Sequence, residues 1–276
     1  MRLAVLFALL TATALAAPAR AAESYDNCAG TIASLPTLIT TQGVWCLTSD
    51  LSTALSGGAA IEVQVNNVTI DCNGFKLGGL SAGAGTGATG IYAQDRLNLT
   101  VRGCNLRGFY VGVHLDGGAG HVLEDDRFDG IRYAPIFSTA DGATIRDNQF
   151  VDTGGSTLTG EAVAIRSDGF AHIIDNTVMG VVATGVGDAV GIQMAAAGSI
   201  LRNRVSGVMA DTGGAYGILT QNNYGLIDDN YVYGSSGQTN VGIQCFNAST
   251  VAKDNVVSET VSGIVNCESV GNSVEF

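Results

Sequence analysis

Lysine is nearly absent from this chain of 276 residues: only Lys76 and Lys253 occur. Arginine is also sparse, so 13 basic residues face 25 acidic ones and the net charge is −12. No basic cluster exists anywhere along the chain. Nucleic acid and anionic membranes need Lys and Arg to neutralise phosphate, so neither fits as a partner. Acidic polysaccharides are repelled as well, unless a divalent cation bridges them. Charged residues make up only 14% of the chain, too few for helices laced with ion pairs. Proline occurs three times and Trp45 is the single tryptophan. No CxxC pair exists and there are only three histidines, which argues against a zinc site. Beyond the N-terminus, no apolar run reaches the roughly 20 residues that span a bilayer.

What is abundant is glycine, with 38 residues, beside β-branched aliphatics. That mixture suits short strands joined by tight turns. The N-terminus reads as a secretory signal over residues 1–21. Arg2 starts it, Leu3 to Leu15 is its apolar centre, and Ala19-Arg20-Ala21 offers a cleavage site. The mature protein is expected to be secreted or periplasmic, with no membrane insertion once the signal is removed. Six cysteines in an exported chain read first as disulfides. Six allow about 15 pairings. The preferred set is Cys28 with Cys46, Cys72 with Cys104, and Cys245 with Cys267. The last two pairs are separated by about one turn of an internal repeat.

That repeat is a phrase of aliphatic, any, polar, Asn, any, Val or Phe, any, Gly. It appears as Ile173-Ile-Asp-Asn176-Thr-Val178-Met-Gly180 and Ile227-Asp-Asp-Asn230-Tyr-Val232-Tyr-Gly234. Asn148, Asn203 and Asn255 mark further copies, while Asn73, Cys104 and Asp126 mark divergent ones. From Asn73 to Asn272 the spacings are 31, 22, 22, 28, 27, 27, 25 and 17 residues. A second phrase, Gly or Ala followed by Ile or Val, follows each first one, as at Gly191-Ile192 and Gly217-Ile218. Two short strands per repeat with a minimum near 22 residues describe one coil of a solenoid. A single coil cannot bury its aliphatic face, but stacked coils can. The expected fold is all-β: a single-domain right-handed parallel β-helix of about eight coils, with a cap and lead-in strands over 22–64 and the helix over 65–276. The period is too long for hexapeptide repeats and too short for propeller blades. The Asn residues are expected to form a structural ladder, bonding turn backbone and tolerating the left-handed region. Excess residues fall between the two phrases, at 152–161, 180–189, 207–215 and 233–240, and such inserts often mark a binding face.

Strand alternation then names the outward side chains. On the second-phrase sheet Tyr92, His114, Phe137, Arg166 and Gln193 follow one another, with Asp116 and Asp168 two residues further along. Aromatics cover the apolar face of a sugar ring, and carboxylates and amides bond hydroxyls. The same set could support lyase chemistry, with His114 or Tyr92 moving a proton and Arg166 neutralising a substrate carboxylate. Ca²⁺ on Asp116 and Asp168 is the one cofactor this reading admits. On the first-phrase sheet Asp71, Arg102, Glu124 and Arg146 alternate in sign, as a cross-strand ion-pair ladder would. Glu124-Asp125-Asp126 with Asp129 forms the densest acidic cluster.

These phrases resemble the right-handed parallel β-helix repeat proteins of the pectin-lyase-like superfamily. Val68-Thr-Ile-Asp71-Cys-Asn-Gly74-Phe-Lys-Leu-Gly-Gly79 resembles the opening coil of periplasmic members related to the copper-processing NosD group. Gly43-Val-Trp-Cys-Leu-Thr-Ser-Asp-Leu51 is similar to their leading segment. The resemblance implies the fold for nearly the whole mature chain and implies no catalytic residue. Of the polygalacturonase motifs only an Asp-Asp, Asp125-Asp126, is present. The Asp-Pro-His-Glu of mannuronan epimerases and the arginine motif of pectate lyases are absent. Three functions stay open: a binder of carbohydrate or of a cell-surface partner, a small polysaccharide lyase or hydrolase, and a structural or adhesion module.

Overall fold

The computed structural model describes residues 27–221 and 224–276. The secretory signal expected at 1–21 lies outside the described residues. The chain winds as an all-β solenoid of about eight turns with three parallel sheets. Sheet I has 11 strands and sheets II and III have 10 each. In the coil that starts at Ala171, β1 (Ala171–Ile174) lies in sheet I, β2 (Thr177–Ala183) in sheet II and β3 (Ala189–Met194) in sheet III. The next coil repeats this with β4 (Gly198–Leu201), β5 (Arg204–Ala210) and β6 (Gly214–Thr220). Each strand pairs in parallel with its counterpart one coil away. Among the described residues no helix is long and apolar enough to cross a membrane.

Each coil therefore holds three strands, where two phrases suggested two. The first phrase bends between sheets I and II without any interruption in its alternation. The bend is made by the residue before the ladder position. Asp125, Asp147, Asp175, Arg202, Asp229 and Asp254 all have φ between 50° and 58° there. The left-handed residue is thus the one preceding each Asn, not the Asn itself.

The Asn side chains are turned inward and buried. The backbone N–H of Asn148 donates to Asn176 Oδ1 at 3.0 Å, that of Asn176 to Asn203 Oδ1 at 2.9 Å, and that of Asn203 to Asn230 Oδ1 at 2.8 Å. The series continues through Asn255 to Asn272. Each amide group donates to a carbonyl one coil back, as Asn203 does to Ile173 O at 2.9 Å. A buried corner keeps its polar groups satisfied this way. Asn73 is not a rung. The first coil carries a tight turn in which Phe75 N–H bonds Cys72 O, with Asn73 and Gly74 at positive φ. The Asn73 amide caps Leu47 O at 3.1 Å.

The inserts are also more ordered than loops. In 180–189 and 207–215 the first half prolongs sheet II. Val181 pairs with Val208, and both are buried in the core. Residues 30–63 add strands to all three sheets, Gly30–Ile32 and Gly43–Leu47 to sheet I, Leu51–Ser52 to sheet II, and Thr37–Ile39 and Ala59–Val63 to sheet III. The glycine of the second phrase is sterically required: a Cβ at Gly191 would run into Val205 and the backbone of Gly217. The interior is one aliphatic column, including Ile165, Ile192, Ile218 and Ile243, with Phe128 stacked on Phe150. Disulfides join Cys28 to Cys46, Cys72 to Cys104 and Cys245 to Cys267. Three disulfides are the mark of an oxidising compartment, outside the cytoplasm.

Candidate functional site

The inward Ile of each sheet III strand fixes the register of the residue after it. Glu62, Tyr92, His114, Phe137, Arg166, Gln193, Leu219 and Gln244 therefore lie side by side on eight successive coils. Their side chains touch in series. Tyr92 and His114 rings are 5.3 Å apart, and His114 stacks on Phe137 at 4.8 Å with the planes 4° from parallel. The Arg166 guanidinium lies over the Phe137 ring, 5.0 Å from its centroid.

Polar groups flank this strip. The Tyr92 hydroxyl donates to Asp116 Oδ2 at 3.1 Å, and the Gln94 amide to the same atom at 3.2 Å. Arg166 donates to Asp168 through Nε and Nη2, and through Nη1 to the Tyr133 hydroxyl at 3.0 Å. Burial pushes the His114 pKa down and nearby Asp116 only partly restores it, so the imidazole is neutral at pH 7. Burial and the Asp116 carboxylate push the Tyr92 hydroxyl up. Burial works against the Arg166 charge, yet Asp168 and Tyr133 outweigh it and the guanidinium is held above its ordinary value.

The structure thus gathers Tyr92, His114 and Asp116 into one group and Phe137, Arg166 and Asp168 into another, joined by the His114–Phe137 stack. Gln193 follows in the same row but is only 7% exposed, because Arg166 and Leu219 flank it in register. Asp116 and Asp168 are two coils apart, about 10 Å along the axis, and each is engaged by its own partners. Among the described residues no three His, Cys, Asp or Glu side chains group as metal ligands. The acidic cluster at 124–129 is dispersed: Glu124 pairs with Arg146, Asp126 is buried, and Asp129 lies 3.7 Å from Arg107.

Four features escaped the sequence reading. Val111, Ala134, Val163 and Val190 form a second apolar cluster on the outer side of sheet III, overlaid by Tyr110, Phe137, Tyr216 and Leu219. Tyr110 stacks on Tyr133 at 5.1 Å beside the strip. The 152–161 insert reaches back over earlier coils, and Thr157 N–H bonds Ala84 O at 3.1 Å, which raises a wall along this edge. Glu62 borders two depressions on either side of Tyr92, of about 260 and 330 Å³. Val111 and Val190 directly precede the inward Gly112 and Gly191, a signal present in the sequence, whereas Ala134 and Val163 precede Pro135 and Ala164.

Residues 39–205 match the family described as a right handed beta helix region. The chain belongs to that family. No curated protein matches the sequence. This β-helix is similar in backbone course to a tailspike protein mutant of E. coli bacteriophage HK620 in complex with pentasaccharide, at 11% identity and a TM-score of 0.43. The match covers 89% of this chain and 54% of that one, so the β-helix spans about half the tailspike's length. An exopolygalacturonase from Thermotoga maritima is similar at 11% identity and a TM-score of 0.43, covering 85% of this chain and 83% of that one. PfbA, a surface adhesin of Streptococcus pneumoniae, is similar at 11% identity and 0.45, covering 86% and 80%. Identities this low speak to backbone course alone.

Proposed function

We propose that this β-helix binds carbohydrate, as a secreted or periplasmic protein, along the outer face of sheet III. The observation that carries the reading is the unbroken strip Tyr92–His114–Phe137–Arg166, ring against ring on a flat parallel sheet. Such a strip offers apolar ring edges at a fixed spacing, while Asp116, Gln94 and Asp168 supply hydrogen-bond partners along its edge. Rigid aromatics give contact area at small entropic cost. The tailspike and the adhesin carry a similar backbone, and what they bind is theirs. Kinship with the NosD-type members rests on the opening-coil phrase and concerns fold and compartment. Nucleic acid is disfavoured as a partner by the acidic charge.

A second reading is favoured by one contact. The Tyr92 hydroxyl, Asp116 and neutral His114 lie together and could pass a proton, as a lyase or hydrolase requires. Arg166, bonded to Asp168 and Tyr133, is not free to meet a substrate carboxylate, and this ranks turnover second.

The test is binding of the purified protein to a glycan array with and without Ca²⁺, followed by reducing-end and unsaturated-product assays on each hit. Binding without product is the expected result. Phe137→Ala removes the ring that links His114 to Arg166 and should weaken binding about tenfold, equivalent to losing about 1.4 kcal/mol of apolar contact. Product from any hit would make Tyr92, His114 and Asp116 catalytic candidates. Absence of binding to every glycan would leave a structural or adhesion role.

A further inference from the structure

The sheet III strip does not end at Arg166. Beyond Gln193, a third depression of about 290 Å³ is lined by Asp188, Tyr216, Leu219, Gln244, Phe246 and Asn266. Phe246 is 62% exposed, a bare aromatic ring on the turn after its strand. Tyr216 belongs to the outer apolar cluster and lines the same hollow from its other end. Amides from Gln244 and Asn266 share the same hollow. The Cys245–Cys267 disulfide ties together the two coils that carry Phe246 and Asn266. Tyr92 and Gln244 are six coils apart in the same row, about 29 Å at the usual strand spacing. The sheet therefore presents two aromatic stations, one at Tyr92–His114–Phe137 and one lined by Tyr216 and Phe246, joined by Arg166 and Leu219 with the buried Gln193 between them.

The charges along this face decide what can lie on it. Glu62, Asp116, Asp168 and Asp188 are carboxylates. The guanidiniums on these strands and the turns after them are Arg96 and Arg166. Arg166 is held by Asp168 and Tyr133. Arg96 is held by the carbonyls of Gln64, at 2.9 Å, and of Gln94. Neither of these two guanidiniums is left to meet a ligand anion, the Nε of Arg132 on the turn before Tyr133 is buried, and the uncompensated carboxylates repel an anion.

We propose that the two stations together hold one extended, uncharged glycan chain along sheet III, with Tyr216 and Phe246 as a second binding site. This rests on the carbohydrate reading and narrows it to a substrate class. Two linked sites on one chain gain affinity that neither has alone. Long chains are therefore retained more strongly than fragments that reach a single station.

The experiment is affinity electrophoresis of the full mature chain in gels containing galactomannan, xyloglucan or soluble starch, against polygalacturonate, alginate or chitosan. At least one neutral polymer should retard the protein, the anionic ones should not, and any retardation by cationic chitosan should be lost in about 1 M NaCl, where its attraction to the carboxylates is screened. Retardation by the neutral polymer should persist in about 1 M NaCl, where the Debye length is about 3 Å. Tyr92→Ala and Phe246→Ala should each weaken retention by the long neutral chain at least tenfold. Phe246→Ala should leave unchanged the binding of a short oligosaccharide of the same polymer at the Tyr92 end. Phe246 is exposed, so its loss leaves the core intact, and circular dichroism checks this. Retention by polygalacturonate or alginate, or by chitosan in about 1 M NaCl, with none by the neutral polymers would overturn the uncharged class while leaving carbohydrate binding in place. Retention unaffected by Phe246→Ala would overturn the second station. No retention by any polymer would overturn the carbohydrate reading with it.

Discussion

At the residue scale the most informative side chain is Asp126. It occupies a rung of the Asn ladder and is fully buried. Its Oδ1 accepts from Cys104 N–H at 2.8 Å, while its Oδ2 has no partner. In Asn148 the equivalent atom is an amide nitrogen that donates to Leu123 O and Asn176 Oδ1. Oδ2 therefore faces acceptors, and a proton on it does what the amide does elsewhere. Burial pushes the Asp126 pKa well above 3.8. The folded state thus binds a proton that the unfolded state releases, and stability falls as pH rises above about 3.9. Asp126→Asn supplies a permanent donor. It should add about 1–3 kcal/mol near pH 7, and the gain should vanish below pH 4, as read by urea unfolding across that range. An equal gain at every pH would contradict a neutral Asp126. His121 acts in the opposite sense. Its Nδ1 accepts from Leu99 N–H at 3.2 Å and burial lowers its pKa. The stability it contributes is present above its ordinary value of 6.5 and is lost as pH falls.

At the element scale the ladder and the corners explain both what the sequence disclosed and what it hid. Register on sheet III was legible because one inward Ile per coil leaves no freedom about which neighbour faces out. For Cys72–Cys104 and Cys245–Cys267 the partners followed from one-coil spacing. The third strand was hidden because a single left-handed residue, such as Asp175, turns the chain without breaking the alternation on either side. Asn73 looked like a rung because the phrase around it reads the same, but a two-residue turn shifts it out of line. The outer Val strip and the Tyr110–Tyr133 stack were missed because their members lie 23 to 29 residues apart and meet only when the coils stack in register. The rungs and the turn differ in consequence. Asn203→Ala strands the Asn176 N–H and the carbonyls of Ile173 and Leu201, and should cost about 3 kcal/mol or more in urea unfolding. Asn73→Ala loses one half-buried bond and should cost about 1 kcal/mol. Equal costs would mean that the ladder contributes no more than a turn does.

At the scale of the whole molecule the three sheets serve different ends. Sheet I carries cross-coil ion pairs, Asp71 with Arg102 at 2.8 Å and Glu124 with Arg146, and the bend after it carries Asp175 with Arg202 at 2.8 Å. Their arginines are open to solvent, which screens the pairs and leaves them little weight in stability. Sheet II shows Met179, Met209, Tyr231 and Tyr233 without a continuous ring stack beyond the Tyr231–Tyr233 pair, 5.1 Å apart. Sheet III alone combines an aromatic strip, an outer apolar floor and a raised wall. The direct test is hydroxyl-radical footprinting with and without the neutral polysaccharide that retards the protein most. The account expects oxidation of Tyr92, His114, Phe137 and Phe246 to drop at least severalfold in the complex, with Met179, Met209, Tyr231 and Tyr233 unchanged. Protection of the sheet II residues, with the sheet III rings as reactive as before, would contradict it.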